Sequence, residues 1–228
     1  MLGTRLKTIA SFIDSEDEVI DVGCDHALLD IYLTLYNHNK CLATDISEGA
    51  LKQAKSNIYH YGLTGQIKVQ VGNGLQNIQN LKDKVIVIAG MGTETILEIL
   101  NDDRIYEAKC IVISTHTELR LLRRKMVQKG FKIVEEKVAL ENYKFYVVIK
   151  FVKGRKRYTA RECYLGPILK DDPSYEVMRY YESLYYENIN ILKKIPDRYI
   201  QKRKPFLKNR DWILEIIGKK LGPHHWKS

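Results

Sequence analysis

Short apolar, β-branched runs bounded by polar turns recur along the first two thirds of the chain. Residues 18–22, 41–46, 66–71, 84–89, 109–114, 131–138 and 144–152 predict buried strands. Amphipathic stretches between the first five predict helices. In EGALKQAKSNIYHY, residues 48–61, the positions Ala50, Leu51, Ala54, Asn57, Ile58 and Tyr61 fall on one side, and Gly62 supplies the stop. Leu2, Leu6, Ile9, Ala10 and Ile13 fit one face of a short opening helix. Such alternation predicts an α/β domain: a mostly parallel sheet, right-handed crossovers and helices on both faces. The last two strands are separated by Glu141-Asn142-Tyr143 alone and predict a hairpin at the sheet edge.

The pattern changes after about residue 153. Val177, Tyr181, Leu184, Asn188, Ile191 and Ile195 follow a 4-3-4-3-4 spacing that ends at Pro196, and Leu207, Leu214, Ile217 and Leu221 form a second stripe. Neither helix can bury its stripe alone, so each needs the other or the sheet. Charge changes at the same place: residues 153–228 hold 18 of the 37 Lys and Arg but 9 of the 28 Asp and Glu, which leaves residues 1–152 balanced at 19 of each. A neutral domain, 1–153, joined to a basic helical one, 154–228, suggests catalysis joined to polyanion binding. No apolar run approaches the ~20 residues of a membrane span, and MLGTRLKTIASFI lacks the regions of a secretory signal. Cys24, Cys41, Cys110 and Cys163 are scattered without a C-x-x-C pair, which disfavours a metal site or disulfide framework and fits a cytoplasmic protein.

Ligands of such sheets bind at the carboxyl ends of the strands. That rule gathers Asp21–His26, Asp45–Ile46, Gly72–Leu75 and Ala89–Thr93 into one crevice. In VIDVGCDHALLDIYL the strand reaches Asp21 and Gly23, turns through Cys24-Asp25-His26 and enters a helix. A phosphate-cradling G-x-G-x-x-G turn needs glycine where this chain has Asp25 and Leu28. Asp21 and Asp25 would repel a pyrophosphate but suit an ammonium. Asp45 at the end of the second strand suits a ribose diol. These groups point to S-adenosylmethionine, with Asp21, Gly23, Asp25, His26, Asp45, Ile46, Asn73, Gly74 and Gly90 as candidate cofactor residues.

Three motifs, D-V-G-C-D-H-A at 21–27, G-N-G-L at 72–75 and I-A-G-M-G at 88–92, resemble those of the bacterial tRNA adenine-N1 methyltransferases that modify position 22 of tRNA, the TrmK family. The likeness runs from Thr4-Arg5-Leu6 to the basic tail. It implies a Rossmann-like class I methyltransferase sheet followed by an antiparallel, coiled-coil-like helical domain. It also implies tRNA as partner, with Arg5, Lys202, Arg203, Lys204, Lys208 and Arg210 as candidate contacts, and a protein that is a monomer or dimerises through its tail. The family pattern has Asp at Asn73, and more often Gln-Pro-Asn in the region of Ser114–Thr117; both are departures. An Asn/Asp-Pro-Pro-aromatic motif is missing after the fourth strand, and no cysteine stands at the end of the fourth or fifth, which disfavours amine and pyrimidine-carbon methylation. Adenine N1 attacks a methyl group directly, so catalysis can rest on positioning and on tolerance of developing positive charge, with Asp25 and the main chain of Gly90 and Met91 as candidates. Two other readings compete: an RNA-binding protein with a vestigial cofactor site, and a nicotinamide-dependent oxidoreductase.

Overall fold

The computed structural model describes residues 2–221, with the side chains of 219–221 and residues 222–228 of the expected tail lying outside the described part. The described chain divides into two compact units, up to Lys156 and from Arg157.

The first unit opens with α1 (Thr4–Ala10) and continues through β1 (Glu18–Val22), α2 (Leu28–Asn37), β2 (Lys40–Asp45), α3 (Glu48–His60) and β3 (Ile67–Val71). It then runs through β4 (Val85–Ala89), α4 (Thr93–Ile99), β5 (Cys110–Thr115), α5 (Leu119–Gln128), β6 (Phe131–Glu141) and β7 (Lys144–Lys153). The strands form one sheet in the order β3-β2-β1-β4-β5-β7-β6. β1 pairs in parallel with β2 and β4, and β5 with β4, while β7 is antiparallel to both β5 and β6. The order reverses direction between β1 and β4, so the carboxyl ends of these strands form the crevice expected at a switch point. The central strands are dry: Val85–Ile88 and Ile111–Ile113 are all 0% exposed. Continuous apolar runs of this kind suit a sheet covered on both faces, each buried side chain contributing roughly 1.5–3 kcal/mol.

The β3–β4 crossover departs from the expected alternation because no helix forms between Val71 and Val85. GNGLQNIQNLKDK is rich in Gly and Asn, which favour turns over helix. It still buries Leu75, Ile78 and Leu81. Arg104 pins it, donating from Nη2 to the Leu75 carbonyl at 2.8 Å and from Nη1 to the Ile78 carbonyl at 2.5 Å, with Asp102 orienting the guanidinium.

The second unit contains α6 (Ala160–Leu165), α7 (Tyr175–Lys194) and α8 (Ile200–Leu221). A reciprocal pair of hydrogen bonds between Thr159 and Glu162 caps α6. α8 packs on both α6 and α7. Its buried side chains include Ile213, Ile216 and Ile217. The α7 face is wider than the predicted seam. Val177, Met178, Tyr180, Tyr181, Asn188 and Leu192 are buried, whereas Leu184, Ile191 and Ile195 are only half-buried. The reason is α6: Tyr181 donates to the Leu165 carbonyl at 2.9 Å, and Asn188 donates to the Tyr164 hydroxyl at 2.8 Å. Pro205 sits inside α8, where it removes one ladder donor and crowds the carbonyl of Gln201.

Candidate active site

The turn after β1 is tied to β2, since the Gly23 and Cys24 N–H groups donate to the Thr44 carbonyl at 2.8 and 3.0 Å. Gly23 has φ +80°, and a Cβ there would collide with Met91 Cε. Asp25 and Ala27 also have positive φ, +53° and +55°. Such backbone costs a non-glycine residue roughly 1–2 kcal/mol and concentrates at functional sites.

That strained turn aims the Asp25 N–H at Asp45 Oδ2, 3.2 Å away, while the Ser47 N–H meets Oδ1 at 2.8 Å. Two main-chain donors therefore orient a half-buried carboxylate whose oxygens each keep a lone pair for a hydroxyl. Ile46 beside it is 71% exposed, an apolar shelf next to that carboxylate. The Gly72 N–H donates to the Asp45 carbonyl at 3.0 Å, bringing the exposed Asn73 and the adjoining Gly74 to the same edge. The groups needed for a ribose, a flat base and an ammonium fit S-adenosylmethionine without a phosphate cradle.

Across the crevice, Gly90 has φ +81° and donates its N–H to the Ser114 carbonyl at 3.3 Å. Thr115 Oγ1 donates to the Met91 carbonyl at 3.1 Å. The Thr93 N–H meets Thr117 Oγ1 at 3.1 Å, and Thr93 Oγ1 donates to the Thr117 carbonyl at 2.5 Å. The segment that departs from the family pattern thus braces the Gly90–Thr93 turn. Arg5, a candidate RNA contact, lies beside the Gly90 turn. Its Nη1 is 3.3 Å from where a Gly90 Cβ would be, its guanidinium lies 5.1 Å from the Tyr146 ring centre, and Nε is 3.9 Å from Glu141. Residue spacing carries no signal for this cluster, because the β6–β7 hairpin brings Glu141 and Tyr146 back past β5, where Val147 pairs with Thr115.

Asp21, one residue from the carboxyl end of β1, is 4% exposed. Burial pushes its carboxyl well above the usual range, with Asp30 and Asp45 adding repulsion and Arg5 opposing them. Asp30, on the first turn of α2, is 0% exposed and also raised by burial. Burial likewise pushes the Cys24 and Cys41 thiols upward, so neither is a nucleophile at neutral pH. Asp25 and His26 stand at the surface, His26 Nε2 lying 3.6 Å from Asp25 Oδ1.

In the second unit, Lys202, Lys204 and Lys208 are exposed, Lys202 over the Tyr199 ring at 5.2 Å and Lys208 over Trp212 at 5.0 Å. Arg210 pairs with Asp211 at 2.7 Å. Arg203 is not the surface cation expected. It donates to the carbonyls of Leu192 and Ile195 and pairs with Asp197, closing the end of α7. In α5, Arg123 is likewise buried against Glu136 at 2.7 Å, whereas Arg120, Arg124 and Lys125 are exposed.

A nucleoside-and-ammonium crevice at the switch point of a β3-β2-β1-β4-β5-β7-β6 sheet defines the methyltransferase class. The methyltransferase domain family model matches residues 2–149, and the chain belongs to that family. Among characterised relatives it is similar to the tRNA (adenine(22)-N(1))-methyltransferase of Bacillus subtilis, with 30% identity over 65% of this chain and 63% of that enzyme's length. The crystal structure of a Streptococcus pneumoniae putative tRNA (m1A22) methyltransferase superposes with a TM-score of 0.89 at 28% identity, over 95% of this chain and all of that one. M. capricolum TrmK in complex with S-adenosyl-homocysteine gives 0.83 at 29% identity, over 95% of this chain and 98% of that one.

Proposed function

We propose that this chain is an S-adenosylmethionine-dependent methyltransferase acting on N1 of an adenine in tRNA, at position 22. The observation that carries the reading is the Asp45 carboxylate, set by the N–H groups of Asp25 and Ser47 at the end of β2 beside a turn without phosphate-binding glycines. The nicotinamide reading is disfavoured at the same place, since Asp25 and Leu28 occupy the positions where a pyrophosphate needs glycine.

S-adenosylmethionine, when bound, supplies an electrophilic methyl group. Asp45 would hold the ribose hydroxyls, Ile46 and the Asn73–Gly74 edge would hold the adenine, and Asp21 would face the ammonium. Gly90 lets the target base approach the main chain, and the Thr115–Thr117 brace keeps that turn from shifting. Adenine N1 is neutral before transfer and the product ring is cationic, so a nearby carboxylate or carbonyl stabilises the transition state more than the ground state. Asp25 and the main chain of Gly90–Met91 are the groups suited to that task. The basic helical unit, carrying Lys202, Lys204, Lys208 and Arg210, supplies affinity for the tRNA backbone. We place the protein in the cytoplasm, as a monomer or as a dimer joined through its tail helices.

Nucleoside mass spectrometry tests the assignment after incubation of unmodified tRNA with the protein and S-adenosylmethionine. The expected product is N1-methyladenosine, mapped to position 22 by primer-extension arrest. Cofactor binding with no methylated nucleoside would favour the vestigial RNA-binding reading.

A further inference from the structure

Two buried carboxyl groups come from the elements on either side of the turn at 23–27, and only one of them has a task. Asp21 comes from β1 and Asp30 from the first turn of α2, and they are 4% and 0% exposed. Neither carboxylate oxygen of Asp30 has a well-formed hydrogen bond among the described residues, and its own N–H and the Cys41 thiol are the donors near enough to favour the charged form. The side chain that Asp30 faces is Asp21. The other groups bearing on the pair are Asp45 of β2, the thiols of Cys24 and Cys41, and the Arg5 guanidinium from α1, itself engaged with Glu141. Two ionised carboxylates side by side in a dry place, with no cation paired to either, repel strongly. One shared proton removes the repulsion and gives both groups a hydrogen bond; that proton belongs to the pair rather than to either residue.

We propose that Asp21 and Asp30 share one proton in the free protein and release it to solvent when the ammonium group of the cofactor settles at Asp21. Asp30 is then a positioning residue that links cofactor binding to pH. The inference rests on the cofactor reading given above. In the step, the carboxyl O–H bond breaks, the proton passes to buffer and the second negative charge is balanced by the incoming ammonium. Nothing is oxidised or reduced. The sign follows from linkage: affinity increases with pH while the pair holds its proton and levels off once the proton is gone.

Titration calorimetry of the full chain with S-adenosylhomocysteine, which carries the same ammonium, tests this. Near pH 6 the apparent enthalpy should vary with the ionisation enthalpy of the buffer, with a slope approaching one proton released per ligand. Affinity should rise with pH by up to about tenfold per unit below the pair's titration and flatten above it. Asp30→Asn should still bind but lose both the buffer slope and the pH dependence, and a melting curve verifies that it folds. If it does not fold, the wild-type slope and pH profile decide. A buffer-independent enthalpy with flat affinity in the wild type overturns the proposal, as does an Asp30→Asn protein that retains the wild-type slope and so assigns the proton to another group such as His26. Failure of the wild type to bind S-adenosylhomocysteine in any buffer would instead overturn the cofactor reading itself.

Discussion

Asp45 takes its orientation from the main chain of two other turns, so its carboxylate is prepared before any ligand arrives. Asp45→Ala should weaken S-adenosylmethionine binding by about 1.5–3 kcal/mol, the loss expected for hydrogen bonds to a charged group, as read by calorimetry. Unchanged affinity would move the ribose site elsewhere. Asp25 supports two roles that kinetics can separate. Asp25→Asn that lowers turnover with near-normal cofactor affinity places the carboxylate against the target base; weakened cofactor binding with normal turnover at saturation places it against the ammonium. Its left-handed backbone also explains why a short polar residue suits the position, a requirement that spacing alone does not reveal.

At the level of elements, the Arg123–Glu136 pair fastens α5 to β6 with both side chains 0% exposed. Arg123→Met alone should destabilise the protein by about 3–5 kcal/mol because it strands a buried carboxylate. Joining it to Glu136→Leu should recover most of that loss, and urea unfolding of the three variants checks both claims. The same arginine shows where sequence reading stops. As one of four basic residues in LRLLRRK it reads as part of a solvated face, because its partner lies on the next strand. The seven strands are legible because each is a β-branched run with clear ends, and the crevice is legible because strand order places those ends together. The helix-free β3–β4 crossover escapes such a reading because regular alternation is the default, although the Gly and Asn content of residues 72–84 argues against a helix. α6 carries a readable sign, the T-x-x-E of Thr159–Glu162, whereas the Arg5–Tyr146–Glu141 cluster depends on hairpin register and has none.

For the molecule as a whole, the carboxylates divide by sign. Asp14, Glu18 and Asp102 are held low by Lys109, Lys84 and Arg104, so the stability they contribute is present above the ordinary carboxylate range and lost on acidification. Asp21 and Asp30 are held high by burial, and the contribution of Asp30 is full below about pH 4 and is lost as pH rises through about 6. Asp30→Asn should therefore gain stability relative to wild type as pH increases over that window, measured by urea unfolding at several pH values. Electrostatics also separates the basic residues of the tail. Replacing Lys202, Lys204 and Lys208 together should flatten the salt dependence of tRNA binding by about 0.7–0.9 for each phosphate no longer neutralised, whereas Arg203→Ala should lower the melting temperature by freeing the end of α7. Pro205 gives this tail one further property. The turn before it, Ile200–Lys204, is held from outside by the Lys202 and Arg203 N–H groups on the Tyr199 carbonyl, and the ladder bond that would join Gln201 to residue 205 has no donor. In deuterated solvent the amides of that turn should therefore exchange well before those of Trp212–Ile217, so the lysines sit on a segment that can open and reclose without unfolding the helix behind it.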